Sequence, residues 1–300
     1  MTVTDVLRRF NRTYTQRIGA LDESFLGLGL PLGAARLVFE IGESGATVRD
    51  LRARLGLDSG QLARQLRRLE DDRLVRVAPD PDDLRRRTVR LTTQGRALRR
   101  RLDDRSEELA ERLVAPLTSR QQERLTQALA TADLLVRAAT VDIRSVHPAS
   151  PEAKRAVQSY FDELDERFPT GFDPGDHHDV EHMAPGAGAF VVASSDGEPV
   201  ACGGVQELEP GVAEIKRMWV HPGWRGAGLG SRLLRHLEQV TAELGHGTVR
   251  LDTNGTLVEA IAMYERAGYR HIERYNDNPY AQAWFEKQVT SLGPRPRSPR

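Results

Sequence analysis

The sequence predicts a multidomain protein in which an α-rich domain over residues 1–140 precedes an α/β domain with a mixed central sheet over residues 141–290. Apolar residues of the first half recur at helical spacing, whereas strand-like runs alternate with helices in the second half. The 300 residues, 39% of them hydrophobic, suffice for two cores. The halves also differ in charge, because residues 1–140 hold 26 basic and 20 acidic residues and residues 141–300 hold 17 and 23.

The composition narrows the class of protein. The surplus of arginine favours a nucleic-acid partner for the first half. No apolar run approaches the ~20 residues of a membrane-spanning helix, and the first residues contain no apolar signal segment. The single cysteine, Cys202, excludes a disulfide within the chain. We therefore expect a cytoplasmic protein without a membrane partner.

Two short segments are expected to carry no site. His178 and His182 stand four residues apart, a spacing that suits a metal on a helix, but Pro174 and Gly175 predict a loop there. We therefore expect no metal. The tail over 291–300 is rich in proline and arginine and is expected to be disordered.

Helical spacing and capping residues define the elements of the first half. Thr47 can cap a helix that ends at Gly56, and Asp58 or Ser59 can cap the next helix. A polar loop over 78–87 separates two short strands. The predicted helices cover 6–21, 32–41, 48–55, 61–73, 93–113 and 119–139, and the predicted strands cover 74–77 and 88–91.

Four short motifs follow one another in this half. They are Leu57-Asp58-Ser59-Gly60, Leu66-Arg67-Arg68-Leu69-Glu70, the pair Asp83-x-Arg85, and Leu91-Thr92-Thr93-Gln94-Gly95-Arg96. In order and spacing they resemble the MarR-family regulators over about residues 3–139. The resemblance implies a winged helix-turn-helix domain that binds double-stranded DNA, and a homodimer formed through the terminal helices.

The predicted DNA-binding surface combines the helix from Gln61 with the loop between the two strands, the wing. The candidate residues are Ser59, Gly60, Gln61, Arg64, Gln65, Arg68, Arg85 and Arg86. Arginine and glutamine can read guanine and adenine edges in the major groove, and a helix start can bind phosphate. The resemblance implies that Asp83 orients Arg85 toward phosphates or the minor groove. The alternative is that these arginines form a solvated face.

In the second half, a strand ends in a glycine-rich turn that opens a helix. The strand begins near Ala213, the turn runs from Arg225 to Gly230, and the helix continues from Ser231. Backbone N–H groups at a helix start lack helical partners and can bind an anion, and Arg225 adds a cation. A strand over 249–254, a helix over 259–267 and a strand over 284–287 are predicted further downstream.

The pattern Arg225-x-x-Gly228-x-Gly230, the Gly268-Tyr269 exit of the late helix and the closing run Trp284-Phe285-Glu286-Lys287 resemble the GNAT acetyltransferases. The resemblance covers about residues 141–289. It implies an acyl-CoA N-acyltransferase fold with acetyl-CoA as the donor substrate. The residues implied to bind acetyl-CoA are Met218, Trp219, Val220, Arg225, Gly226, Ala227, Gly228, Leu229, Gly230, Ser231 and Asn254.

Two residues are candidates for acid–base work in acetyl transfer. The resemblance places Tyr264 where the family often has a tyrosine that protonates the leaving sulfur; the alternative is a core aromatic beside Tyr269. Glu214 stands where histone-type members carry a general base, and a partly buried carboxylate can take a proton. The alternatives are an ordinary charge at the strand end and a base formed by water.

The expected function joins both halves. Segments 160–168 and 275–280 and the loop through Phe172 should form the acceptor wall. Their carboxylates suit a cationic acceptor and Arg217 suits a carboxylate, so we expect a small amine or amino-acid-like acceptor.

The sequence thus predicts a transcriptional regulator that is also an acetyl-CoA-dependent N-acetyltransferase. The alternatives are a pure regulator whose second domain only senses acetyl-CoA or an amine, and a pure enzyme whose first domain only dimerises.

Overall fold

The computed structural model describes residues 2–80, 83, 86–169, 171–175, 178–195 and 197–290. The predictions for Arg85, for the side chain of His178 and for the tail over 291–300 lie outside the described residues. The chain divides into two compact units, Met1–Thr126 and Gln127–Arg300. Within the described ranges, no helix is long and apolar enough to cross a bilayer.

The first unit is helical with a small antiparallel sheet. The helices are α1 (Val3–Arg17), α2 (Leu32–Ile41), α3 (Val48–Leu55), α4 (Ser59–Asp71), α5 (Thr93–Val114) and α6 (Ser119–Thr140), the last of which ends in the second unit. The strands are β1 (Ala46–Thr47), β2 (Val75–Pro79) and β3 (Arg87–Leu91), in the order β1-β3-β2. The predicted winged helix-turn-helix fold is confirmed.

Side-chain caps set where α3 and α4 begin. The Thr47 hydroxyl accepts a hydrogen bond from the backbone N–H of Asp50 at 3.1 Å. Of the two caps that the sequence allowed for α4, Asp58 is the one used, because its carboxylate accepts from the N–H of Gln61 at 2.8 Å. These caps satisfy N–H groups that would otherwise lack partners.

Two tertiary contacts of this unit were not expected from the sequence. Residues Ala46 and Thr47 form a short strand that pairs with β3, which extends the predicted hairpin to three strands. Gly95 packs so closely on β2's start that a Cβ there would lie 2.0 Å from the carbonyl oxygen of Leu74. A glycine is therefore required at this point of the Leu91–Arg96 motif.

The second unit is an α/β domain around one seven-stranded mixed sheet. Its strands are β4 (Asp142–Val146), β5 (Gly188–Ser195), β6 (Glu198–Glu209), β7 (Val212–Val220), β8 (Thr248–Thr253), β9 (Arg270–His271) and β10 (Ala283–Gln288). Its helices are α7 (Pro151–Arg167), α8 (Leu229–Glu243) and α9 (Val258–Arg266). The sheet order is β4-β5-β6-β7-β8-β10-β9, and among these described strands only β7 and β8 pair in parallel. The predicted mixed sheet is confirmed.

Two neighbouring strands in the middle of this sheet, β7 and β8, are paired over only part of their length. Strands β7 and β8 are hydrogen-bonded over 212–214 and 248–250, and they part beyond those residues. Past that point β7 contains a bulge against β6, where Arg217 adopts the left-handed backbone conformation with φ of 54°. A bulge adds a residue on one strand and changes which side chains face each way. Beyond the bulge, Met218 and Val220 pack against the core that contains residues of α8 and α9.

The end of α6 packs firmly within the second unit. Ala138 is 3% exposed and belongs to the core under α8. The Arg232 guanidinium donates to the carbonyl oxygens of Ala138 at 2.7 Å and Val141 at 2.5 Å, which satisfies the free end of the helix. The Arg137 guanidinium lies 4.4 Å from the centre of the Trp224 ring. The helix end is thereby fixed to the loop that precedes α8.

Candidate active site

A cavity of about 500 Å³ opens between α7, the end of β7, the turn before α8, and α9. This volume lies in the usual range for small-molecule sites. It brings together nine of the predicted residues: Met218, Trp219, Val220, Arg225, Gly226, Gly228, Gly230, Ser231 and Tyr264. The remaining lining residues are Tyr160, Glu163, Leu164, Arg167, Leu257, Glu259, Ala260, Met263 and Arg266.

The glycine-rich turn forms one wall of this cavity. Gly226 and Gly228 have φ angles of 80° and 79°, a region that other residues rarely occupy. A Cβ at Gly230 would lie 3.1 Å from the sulfur of Met263, so this glycine permits close packing of the turn on α9. Helix α8 starts without a hydrogen bond from any described capping side chain. Its first N–H groups are thus available to an anion in the cavity.

Arg225 is held by two partners on different elements. Its Nε atom donates to the carbonyl oxygen of Val220 at 3.0 Å, and its Nη2 atom lies 2.5 Å from both carboxylate oxygens of Glu163 on α7. Partial burial raises the pKa of Glu163, but hydrogen bonds from Arg225, Trp219 and Arg167 outweigh it and hold that pKa below its usual value. The Glu163 carboxylate is therefore ionised at neutral pH.

Tyr264 lines the cavity and is buried. Its hydroxyl is 3.9 Å from the sulfur of Met218, and its ring packs on Phe285 and Tyr269 with centroid distances of 5.7 and 5.8 Å. Burial, and then the charge of Asp252, raises the pKa of Tyr264. The phenol therefore keeps its proton at neutral pH and can donate it. The Tyr264 side chain thus both packs in the core and lines the cavity.

Glu214 does not line this cavity. It is 2% exposed, and its carboxylate accepts hydrogen bonds from Gln206 at 3.0 Å, Tyr275 at 2.8 Å and Asn276 at 3.1 Å. Lys216 adds an ion pair at 3.1 Å. These four donors occupy the lone pairs of the carboxylate. The geometry thus supports a structural role better than a direct one, and the assignment of Glu214 as the base stays a prediction.

Three predicted donor-binding residues also lie away from the cavity wall. The Asn254 side chain donates to the carbonyl oxygen of Tyr280 at 2.7 Å and accepts from Thr256, which fixes the loop after β8. Leu229 is 1% exposed in the core, and Ala227 packs against the same core. Their roles in donor binding stay predictions.

The sequence did not predict that Tyr160, Glu163, Leu164 and Arg167 of α7 share a cavity with the glycine-rich turn. The assignment of segment 160–168 to the acceptor wall stays a prediction. These four residues stand three and four positions apart, so helical spacing alone places them on one face. Nothing in the sequence tells which element that face meets.

The first unit places most of the predicted DNA-binding residues on its surface. Arg64 and Arg68 are exposed on α4, opposite the buried side chains of Leu62, Leu66 and Leu69. Gln65 is half-buried instead, with an Oε1 atom that has no hydrogen-bond partner among the described residues. Ser59, Gly60 and Gln61 are exposed at the start of the helix.

The wing arginines are only partly described. Arg86 is exposed and pairs with Asp83, with Nε and Oδ2 3.1 Å apart. Ser59 and Arg86 line a second cavity, of about 890 Å³, between α3, α4 and the wing. Arg49, Arg52, Arg67 and Arg87 line it as well, so this face of the unit is rich in arginine.

Each half of the chain matches a known protein family. Residues 157–269 match the Acetyltransferase (GNAT) family, and residues 28–86 match the MarR family. An uncharacterized N-acetyltransferase of Schizosaccharomyces pombe is 32% identical over 130 residues, which are 42% of this chain and 79% of that protein. An IAA acetyltransferase of Azospirillum brasilense is 32% identical over 117 residues, which are 38% and 76% of the two chains.

Among solved structures, wild-type MarR from Escherichia coli in its apo form is 24% identical, with a TM-score of 0.38 over 44% of this chain and 97% of that chain. The two family matches fall on the two units described above, one on each. This protein therefore belongs to the GNAT acetyltransferase family, as an acyltransferase whose GNAT domain follows a winged helix-turn-helix domain that is similar to the MarR family.

Proposed function

We propose that the protein is a transcriptional regulator that also transfers an acetyl group from acetyl-CoA to a small amine or amino-acid-like acceptor. The observation that carries the enzymatic half is the single cavity that joins the glycine-rich turn, the end of β7 and the Tyr264 hydroxyl. An acyl-CoA is an anion at its diphosphate and a thioester at its other end. The cavity offers a cationic, N–H-rich end and a phenol to match.

The chain's own groups have separate tasks in this proposal. The N–H groups at the start of α8 and the Arg225 guanidinium bind the diphosphate. The acceptor amine attacks the thioester carbon, the carbon–sulfur bond breaks, and the Tyr264 hydroxyl supplies a proton to the departing thiolate. The amine loses its own proton to solvent or to a base, for which Glu214 remains the predicted candidate.

Aromatic and polar side chains outside the cavity lining support the proposed acceptor class. Phe168 and Phe172 pack on Tyr280, with centroid distances of 5.7 and 4.9 Å, and join α7 to the 275–280 loop. Lys216 lies 3.5 Å from Asp252, a second carboxylate that shares Lys216 with Glu214. Two carboxylates against one lysine leave a negative excess that attracts an ammonium group.

A screen of small amines and amino acids with acetyl-CoA tests the enzymatic half. We expect release of free CoA with at least one amine, measured by a thiol reagent, together with a product heavier by one acetyl group. The blank reaction without an acceptor measures hydrolysis. Tight acetyl-CoA binding without turnover on any amine would select the pure sensor.

The regulatory half rests on the surface of the first unit. Arg64 and Arg68 are exposed four residues apart on α4, and α1 carries an exposed apolar stripe with no buried residue in the single chain. Leu7, Phe10 and Tyr14 on that stripe are 54%, 47% and 48% exposed. A second copy of the chain would bury them, so we propose a homodimer that places two α4 helices on one duplex.

Arg64→Ala is expected to relax base preference and to cost about 1–3 kcal/mol of affinity for a selected duplex. Selection from random duplexes should first return a pseudo-palindromic motif whose binding weakens strongly with salt. Arg86→Ala should weaken all sequences and reduce the salt slope by about 1. Arg105→Ala, on α5 and paired with Glu108, is the control for lost charge. If no motif is enriched, the first unit serves dimerisation and the pure enzyme is correct.

A further inference from the structure

A row of alternating charges crosses the cavity wall from the glycine-rich turn to α9. Arg225 pairs with Glu163, and Glu163 pairs with Arg167 on the same helix at 3.2 Å. Arg167 in turn lies 3.4 Å from the carboxylate of Glu259 at the start of α9. All four side chains line the cavity. The row therefore ties together the elements between which the donor is proposed to bind.

Glu163 is the member of this row with the most donors. Its Oε1 atom faces Arg225 and Arg167, and its Oε2 atom faces Arg225 and the indole N–H of Trp219 at 2.8 Å. The side chain is 13% exposed. A charge so placed is screened weakly by solvent, so it strongly affects other charges in the same cavity.

Arg225 does not need Glu163 to reach the cavity. Its Nε atom is already fixed by the carbonyl oxygen of Val220 at 3.0 Å, and its side chain lines the cavity. Glu163 occupies Nη2, the same kind of donor that binds a phosphate group. A carboxylate and a diphosphate are both anions, so they compete for this guanidinium and also repel each other.

We infer that Glu163 is a specificity-determining residue for the donor, which competes with the diphosphate for Arg225 and so lowers acyl-CoA affinity. This inference rests on the proposed role of Arg225 in donor binding. The donor then has to displace the carboxylate from Nη2, after which Glu163 keeps its bonds to Trp219 and Arg167. Ligands without a diphosphate meet no such competitor.

Calorimetry on the full chain tests this, with acetyl-CoA and with S-acetylpantetheine, which lacks the diphosphate. Glu163→Gln should tighten acetyl-CoA binding by about tenfold and leave S-acetylpantetheine within about twofold. Glu166→Gln removes the same charge from an exposed position on α7 outside the cavity and should change neither affinity. Circular dichroism checks folding; if Glu163→Gln does not fold, Glu163→Met offers an uncharged side chain of similar length.

The double variant decides whether the effect passes through Arg225. In an Arg225→Gln background, Glu163→Gln should no longer tighten acetyl-CoA, and a gain that persists there would overturn the competition. Unchanged or weaker acetyl-CoA binding by folded Glu163→Gln would also overturn it, because Glu163 would then support Arg225. If neither the wild type nor Glu163→Gln binds acetyl-CoA, the proposed function itself is wrong. Binding by the variant alone would support the competition in its strongest form.

Discussion

Gly228→Asp is expected to abolish acetyl-CoA binding while the protein stays folded. The wild type should bind with a free energy of about −5 to −8 kcal/mol, from submillimolar to low micromolar affinity. Gly228 stands at the start of α8 with φ of 79°, and no atom lies within 4 Å of where its Cβ would be. Aspartate tolerates this conformation better than most residues. Its carboxylate would face the diphosphate and reverse the favourable charge of the helix start.

Gly211→Asp provides the matched control for this experiment. Gly211 has φ of 83°, has no neighbour within 4 Å of a Cβ, and lies in the turn between β6 and β7 outside the cavity. Gly211→Asp therefore introduces the same side chain and similar backbone strain, but it adds no charge to the cavity at the start of α8. Calorimetry should show wild-type affinity for this variant. Wild-type affinity in folded Gly228→Asp would show that the donor binds elsewhere.

Tyr264→Phe is expected to lower turnover by about 10²-fold or more, with acetyl-CoA affinity nearly unchanged. The substitution removes one hydroxyl, which is the proton source in the proposed transfer, and it leaves the ring that packs on Phe285. Because burial raises the pKa of Tyr264, the proton is present throughout the neutral range. Steady-state rates with the acceptor from the amine screen measure the loss, and calorimetry measures donor affinity.

Two neighbouring tyrosines serve as comparisons. Tyr269→Phe removes the same atom from a ring packed on Tyr264 but outside the cavity, so its turnover should stay near that of the wild type. Tyr160 lines the cavity from α7, and burial raises its pKa as well. A large loss in Tyr160→Phe beside a rate within twofold of wild type in Tyr264→Phe would transfer the role of acid to Tyr160.

Local features of this chain could be predicted because they depend on residues close in sequence. Helices α2 and α3 begin and end where apolar spacing and the Thr47 and Gly56 signals place them. The turn before α8 could be predicted because the φ angles near 80° at Gly226 and Gly228 favour glycine. Backbone conformation and capping hydrogen bonds involve residues that are close in sequence, so they can be predicted from residue types alone.

The sequence by itself thus determined the two domains, their order, the strand–turn–helix around Arg225–Gly230 and the position of Tyr264 on α9. Only the tertiary structure decided which groups share the cavity, since Glu163 and Arg225 are 62 residues apart and Glu214 and Tyr275 are 61 residues apart. The tertiary structure brought Glu163 to the predicted anion site at Arg225. It placed Glu214 among four hydrogen-bond and ion-pair partners rather than on the cavity wall. Spacing fixes the face of a helix on which a side chain lies, but packing between elements fixes what that face meets.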